Sequence, residues 1–196
     1  EALQAHDPKV LDKWLNDALF VSANVPYRIK PLEAIFKNPR STIIFDTELS
    51  KSLRLKEQSE GYDGLLLKDA SERTYKAGLI EKLLIPALVK LSNFVPGGGI
   101  WMNTERPEWN DANNALVGNG LSMVTTGYLL RYVRFCRNWW SQISDTQTLD
   151  MSSAVADFVQ ALTKIFDQPS QGIISGTIDS KERAEVLQSL GLAGQY

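Results

Sequence analysis

The feature that most limits how this chain can fold is a run of apolar residues at helical spacing near its centre. Leu121, Val124, Tyr128, Tyr132, Phe135 and Trp139 recur every three or four residues, which predicts a helix over about residues 122–143 with these side chains on one face. Similar patterns predict helices over 8–22, 31–36, from Ser71 through Phe94, over 153–166, and from Ser180 to Leu190 with Gly191 as C-terminal cap. The chain is therefore predicted to be mainly α-helical.

Other segments lack a helical period. Residues 42–45 are β-branched and aromatic, so they predict a short β ribbon at most. Residues 47–70 are polar and mixed, with turns expected at Gly61 and Gly64, and residues 169–176 are predicted to form a loop. Pro86 is expected to kink or divide the helix that contains it, because proline removes one backbone donor.

Charge and composition argue against several classes of function. The formal net charge is -2, so the chain has no general attraction for nucleic acid or for an anionic membrane surface. No apolar run approaches the ~18 residues that a membrane-spanning helix needs. A single cysteine, Cys136, and a single histidine, His6, give no disulfide framework and no set of soft metal ligands. We therefore expect no metal and no cofactor.

The first residues, Glu1-Ala2-Leu3, contain neither an initiator methionine nor a signal-peptide pattern. We expect an excised or processed segment whose native N-terminus is missing. The compartment, cytoplasmic or exported, stays open.

The most unusual stretch is residues 97–120. Pro96-Gly97-Gly98-Gly99 ends the preceding helical pattern, and the residues that follow have no sustained period. Long loops inside compact domains are usually functional or disordered, and two indoles, Trp101 and Trp109, argue against disorder. We therefore expect an ordered loop that forms a site.

This loop concentrates acids, amides and an indole. Glu105, Glu108 and Asp111 place three carboxylates within seven positions, beside Trp109. A sugar site needs these groups: the indole stacks on a pyranose ring, and a protonated carboxyl donates to the leaving glycosidic oxygen. The alternative is structural: Asp111 and Asn113 cap a turn, Trp109 fills the core, and the charges are solvated.

The order of residues in the loop resembles a known family. Trp109-Asn110-Asp111, then Asn114, then Val117-Gly118, Gly120 and a helix opening at Ser122, is similar to the Trp-Asn-Asp loop of the inverting cellobiose- and chitobiose-phosphorylase type of glycoside enzymes. The resemblance implies an (α/α)6 toroid of helical hairpins, with the site at the ends of the helices.

The resemblance also implies roles for individual residues. Asp111 would be the general acid, Asn110 would orient it or bind a sugar hydroxyl, and Trp109 would form a wall of the site. The expected substrate contacts are Trp101, Arg106, Glu108, Trp109, Asn110 and Asn114. Inorganic phosphate would be the co-substrate of a phosphorylase, whereas an inverting hydrolase would need a second carboxylate as base.

Length bears on the architecture. Twelve helices with their connections need roughly 200 residues at the least, so 196 residues with six or seven helical patterns predict part of a toroid. We expect a single helical domain or a fragment of a larger catalytic domain, with 97–120 as its site loop. Its partners would be an oligosaccharide or glycoside and either the rest of that domain or an oligomer partner. Phosphorolysis is preferred over hydrolysis, and the alternative function is a non-catalytic helical module that binds carbohydrate or a partner protein.

Overall fold

The computed structural model describes residues 2–7, 9–15, 17–103, 117–143, 148–169 and 171–195. Within them the α-helices are α1 (Ala2–His6), α2 (Val10–Trp14), α3 (Leu32–Lys37), α4 (Thr47–Glu60), α5 (Leu79–Leu91), α6 (Met123–Trp140), α7 (Ser153–Phe166), α8 (Gln171–Ser175) and α9 (Ser180–Ala193). Residues Gly61–Leu65 form a 3-10 helix. The strands are β1 (Tyr27–Ile29), β2 (Ile43–Phe45), β3 (Phe94–Val95), β4 (Gly99–Trp101) and β5 (Leu121–Ser122). The prediction of a mainly α-helical chain is confirmed.

The described chain forms two compact units. The first unit comprises Glu1–Lys30, Ile43–Lys82 and Leu149–Met151, and the second comprises Pro31–Thr42, Leu83–Thr148 and Ser152–Tyr196. Most residues of α5 belong to the second unit, and its first turn belongs to the first.

The first unit combines α4 with a β ribbon. Strands β1 and β2 pair antiparallel, with Tyr27 opposite Phe45 and Ile29 opposite Ile43. This pairing confirms the short ribbon predicted at residues 42–45. Leu53 on α4 and Leu79 at the start of α5 are buried. Glu81 is also buried, and its carboxylate accepts a hydrogen bond of 2.8 Å from the Tyr75 hydroxyl.

The second unit packs α9 against α7, β3 and α3. Leu190 of α9 is fully buried, and Ile35 of α3 is almost so. Gly191 lies inside α9 rather than capping it, so the predicted cap is wrong. A Cβ there would lie 2.9 Å from the Leu32 side chain, so the glycine allows α3 and α9 to approach closely. Strands β3, β4 and β5 form a three-stranded antiparallel sheet that the sequence did not predict.

Two predicted helices are shorter than expected. In the 8–22 stretch only Val10–Trp14 is helical among the described residues, because Phe20 instead exchanges two backbone hydrogen bonds with Ala77. This pairing, together with the antiparallel bridge between Lys68 and Thr74, keeps residues 74–77 out of the helix, so the helix expected to start near Ser71 begins at Leu79. It then runs through Pro86 as one helix to Leu91.

Two segments expected to be irregular contain helices. Residues 47–60 form α4, whose first turn is capped by the Asp46 carboxylate accepting from the Leu49 N–H at 2.8 Å. Apolar spacing does not reveal this helix, because the surface of α4 is mostly polar. Residues 171–175 form α8, inside the stretch predicted as a loop.

The helices predicted at 31–36, 122–143 and 153–166 correspond to α3, α6 and α7. The predicted apolar face of α6 is wrong in its first half. Val124 is 71% exposed and Tyr128 is 69% exposed, whereas Cys136 and Trp139 in the second half are buried.

Candidate functional site

Strands β4 and β5 bring together the two sides of the predicted site loop. Ile100 pairs with Ser122 and Trp101 pairs with Leu121. Beyond the strands, the Met102 N–H donates to the Gly120 carbonyl at 3.0 Å, and the Gly118 N–H donates to the Met102 carbonyl at 2.7 Å. These bonds bring Met102 and Gly118 together, each one residue short of the last described residue before or after segment 104–116. The described chain on the two sides of that segment is therefore joined next to the sheet.

We call residues 93–103 and 117–126 the loop base, because they flank segment 104–116 on both sides. Its buried residues include Ile100, Met102 and Val117. Gly118 has φ of +79°, and a Cβ on it would lie 2.5 Å from the Pro39 carbonyl oxygen. Only glycine suits both the left-handed backbone and this close approach. The loop base is thereby packed against the chain that follows α3.

Thr126 ties the loop base to α6. Its hydroxyl accepts from the Ile100 N–H at 3.1 Å and donates to the Ser122 carbonyl at 2.9 Å. Ser122 is the N-cap of α6, and its hydroxyl accepts from the Thr125 N–H at 3.1 Å, as expected for a helix opening there. The hydrogen bonds of Thr126 and Ser122 fix the direction in which the chain leaves β5.

Trp101, predicted to contact substrate, is a half-buried part of the loop base. Its indole N–H donates to the Gly118 carbonyl at 3.2 Å. Its ring packs against Phe36, with centroids 5.8 Å apart and planes tilted by 37°. The structure therefore gives Trp101 a bracing role between the two sides of the loop, next to the predicted site.

The remaining predicted site residues fall outside the described part of the chain. Segment 104–116 contains Arg106, Glu108, Trp109, Asn110, Asp111 and Asn114. The catalytic assignment of Asp111 and the substrate contacts of the other five stay predictions.

The loop base carries no ionisable side chain in either of its two stretches, 93–103 and 117–126. The three carboxylates of this region, on Glu105, Glu108 and Asp111, all belong to segment 104–116. Among the described residues, the guanidinium of Arg183 lies beside the loop base. One of its nitrogens is 3.4 Å from the position that a Cβ on Gly97 would take. Any acid–base chemistry at the predicted site would therefore come from segment 104–116, and the loop base would support that segment without carrying a charge.

A separate cavity of about 640 Å³ lies in the second unit, and its wall is largely apolar. Its lining includes Phe94, Phe166, Val186, Glu182 and Glu185. Both carboxylate oxygens of Glu182 are engaged by backbone N–H groups, from Gly172 and Asp179, each at 3.2 Å. Glu182 therefore holds α8 and α9 in place, and the cavity does not present a free pair of carboxylates for glycoside chemistry.

The lone cysteine has the environment of a structural residue. Cys136 is buried on α6, and burial raises the pKa of its thiol. Burial also raises the pKa of Tyr132, one turn away, whose hydroxyl donates to the Leu83 carbonyl at 2.7 Å. A thiol with a raised pKa is a poor nucleophile at neutral pH.

Neither a cluster of metal ligands nor a membrane-spanning helix is found in the described part of the chain. No group of three or more histidine, cysteine, aspartate or glutamate side chains among the described residues is placed to hold a metal ion. None of their helices has the length and apolar character needed to cross a membrane.

Sequence reasoning missed three residues that support the site. Asn93 receives a hydrogen bond from Asn103, Phe36 packs on Trp101, and Pro39 lies against Gly118. None of the three has a local sequence signal for its contact; only Gly118, the partner of Pro39, has one, since a glycine between irregular residues suggests a special backbone position.

No protein-family model matches this chain, and no curated protein sequence matches it.

Proposed function

We propose that this chain is part of a carbohydrate-active enzyme that cleaves a glycosidic bond with inversion, with Asp111 as the general acid. The observation that carries the proposal is the Trp109-Asn110-Asp111 sequence, which lies in the chain between Met102 and Gly118, two residues joined by a backbone hydrogen bond of 2.7 Å next to the sheet of β4 and β5. A general acid must sit within hydrogen-bond reach of the leaving oxygen, which demands a segment with firmly fixed ends.

The neutral loop base also supports this role. Every carboxylate between residues 93 and 126 lies in segment 104–116, together with Trp109 and several amides. A sugar ring recognised by stacking and by amide hydrogen bonds would therefore meet an acid on the same short segment. Phosphorolysis is preferred over hydrolysis, because an inverting phosphorylase needs one enzyme carboxyl and uses phosphate as the nucleophile.

We propose further that the helices belong to a partial (α/α)6 toroid. In the described residues, α4, α5, α6, α7 and α9 each have 13 or more residues, and α6 follows directly behind the site loop. Six helical hairpins would need more helices of this size, so the rest of the ring would come from a further part of the protein or from an oligomer partner.

The first prediction tests the acid. In the intact protein, Asp111→Asn should lower turnover of unactivated disaccharides such as cellobiose or chitobiose, supplied with phosphate, by about 10²–10⁴-fold. Turnover of a nitrophenyl glycoside should fall far less, because its leaving group needs no proton. The measurement is release of sugar phosphate and of nitrophenol. Asp157→Asn, at an exposed aspartate of α7, is the matched control.

Undiminished disaccharide cleavage by Asp111→Asn would refute the assignment of the acid. Product release that does not depend on phosphate would replace phosphorolysis by hydrolysis. Sugar binding without any bond cleavage would favour the alternative, a non-catalytic module. Exposed Val124 and Tyr128, immediately behind the loop, give such a module an apolar surface.

A further inference from the structure

The cavity of the second unit has an apolar wall built from several elements. The last turn of α7 contributes Ile165 and Phe166, and α9 contributes Val186. Phe94 of β3 and Ile173 of α8 lie on the wall as well, and all five residues belong to the described part of the chain. At about 640 Å³ the cavity is within the range of ~300–1,000 Å³ that is typical of small-molecule sites, which are mostly apolar with a few polar groups.

The charged side chains on the cavity wall differ in whether they already have partners. The carboxylate of Glu182 accepts two backbone N–H groups, and the carboxylate of Glu185 pairs with the Lys181 ammonium at 3.8 Å. The exposed ammonium of Lys164, in the last turn of α7, has no hydrogen-bond or ion-pair partner among the described residues. The negative charges on the wall are therefore already compensated, whereas the positive charge of Lys164 is not.

We propose that this cavity binds an amphipathic anion, an alkyl carboxylate, with its carboxylate at the Lys164 ammonium and its alkyl chain against the apolar wall. The apolar wall removes the chain from water, which is the main source of affinity for such a ligand. The charge of Lys164 selects the anion, because a cation would find both carboxylates on the wall already engaged. The proposal is independent of glycoside cleavage, since none of the residues that carry it is a predicted catalytic or substrate residue.

The class of ligand is tested by isothermal titration calorimetry of the full chain with octanoate, decanoate, octanol and octylammonium. Decanoate should bind with a dissociation constant below about 1 mM, and affinity should rise about fourfold for each methylene added between octanoate and decanoate. Octanoate should bind more tightly than octanol, and octylammonium should bind most weakly. Absence of decanoate binding would overturn the site, and tighter binding of octanol or octylammonium than of octanoate would overturn the assignment of an anion.

The role of Lys164 is tested by Lys164→Met, which keeps an unbranched apolar side chain and removes the charge. It should weaken decanoate binding by about fivefold, the size expected for an exposed ion pair, and change octanol binding by less than about twofold. Lys37→Met is the matched control, because Lys37 also lies in the last turn of an α-helix of the second unit, α3, and is exposed. Equal effects of the two substitutions on decanoate binding would overturn the role of Lys164.

The location of the alkyl chain is tested by Val186→Phe, which places a larger side chain at a half-buried position of the cavity wall. Binding of decanoate and of octanol should both weaken by about tenfold or more, because the ring takes space that the chain needs. Val133→Phe, at an exposed valine of α6, is the control, and circular dichroism shows whether each variant is folded. Unchanged decanoate binding by folded Val186→Phe would overturn the site. If Val186→Phe does not fold, the comparison of Lys164→Met with Lys37→Met decides, since both lysines are exposed.

Discussion

Gly118 is the residue where backbone geometry most narrowly limits the choice of amino acid. Its φ of +79° disfavours any residue with a Cβ, and the Pro39 carbonyl oxygen would lie 2.5 Å from that Cβ. Gly118→Ala should therefore destabilise the second unit by about 2–4 kcal/mol, through left-handed strain and overpacking. Denaturant unfolding followed by circular dichroism measures the change.

Gly127 provides the comparison, because it lies inside α6 and a methyl group added to it would meet nothing within 4 Å. Gly127→Ala should stabilise the protein by about 0.5–1 kcal/mol, since alanine favours the helix over glycine. Equal effects of the two substitutions would contradict the steric account of Gly118.

The caps and apolar periods of individual elements explain which helices the sequence predicts well. The helices α3, α6 and α7 have an apolar period and a start signal, which is Pro31 for α3 and a capping serine for the other two, although the first half of the predicted apolar face of α6 is exposed. For α4 the sequence signal was only the Asp46 cap, because its residues are mostly polar. The extended residues near Phe20 and Ala77 were unpredictable for another reason: their partner lies more than fifty residues away in the chain.

At the start of α9, Asp179 and Glu182 form a capping box. The Asp179 carboxylate accepts from the Glu182 N–H at 2.8 Å, and the Glu182 carboxylate accepts from the Asp179 N–H at 3.2 Å. Asp179→Ala should destabilise the second unit by about 1 kcal/mol, because an N–H of the first turn loses its acceptor. Thermal unfolding measures this change.

Ser189→Ala is the control for the capping box, because this exposed serine of α9 lies away from the first turn and its hydroxyl donates to the Glu185 carbonyl one turn earlier. A melting temperature for Asp179→Ala no lower than that of Ser189→Ala would show that the box contributes nothing measurable.

For the whole molecule, the division into two units predicts that a substitution in the core of one unit opens that unit more than the other. Leu190 and Cys136 belong to the second unit, and both are buried. Leu190→Ala should cost about 2–5 kcal/mol and speed labelling of the Cys136 thiol by at least about tenfold, because that thiol reacts when its surroundings open. The measurement is the rate of reaction with a disulfide reagent at about pH 8, close to the ordinary pKa of a thiol.

Leu53→Ala, in the core of the first unit, is the matched control. It should change the labelling rate by less than about threefold if the second unit opens on its own. Equal acceleration by both substitutions would instead indicate that the two units unfold as one.

Of the candidate site, the helix opening at Ser122 is confirmed, and Trp109-Asn110-Asp111 stays a prediction because it lies outside the described residues. Trp109-Asn110-Asp111 and the helix after Ser122 can be read locally, since they follow one another along the chain. The contacts of Asn93, Phe36 and Pro39 cannot, because the Asn93 side chain meets Asn103 ten residues later and tertiary packing brings Phe36 and Pro39 to the loop base from the neighbourhood of α3.

The neutral loop base has a consequence for engineering. Residues 93–103 and 117–126 have no titrating side chain, so the loop base itself does not change charge with pH. Residues 104–116 can therefore be treated as a cassette, to be exchanged for stretches with other acids or amides. A titrating group that such an exchange adds or removes would then belong to the inserted residues and not to the loop base.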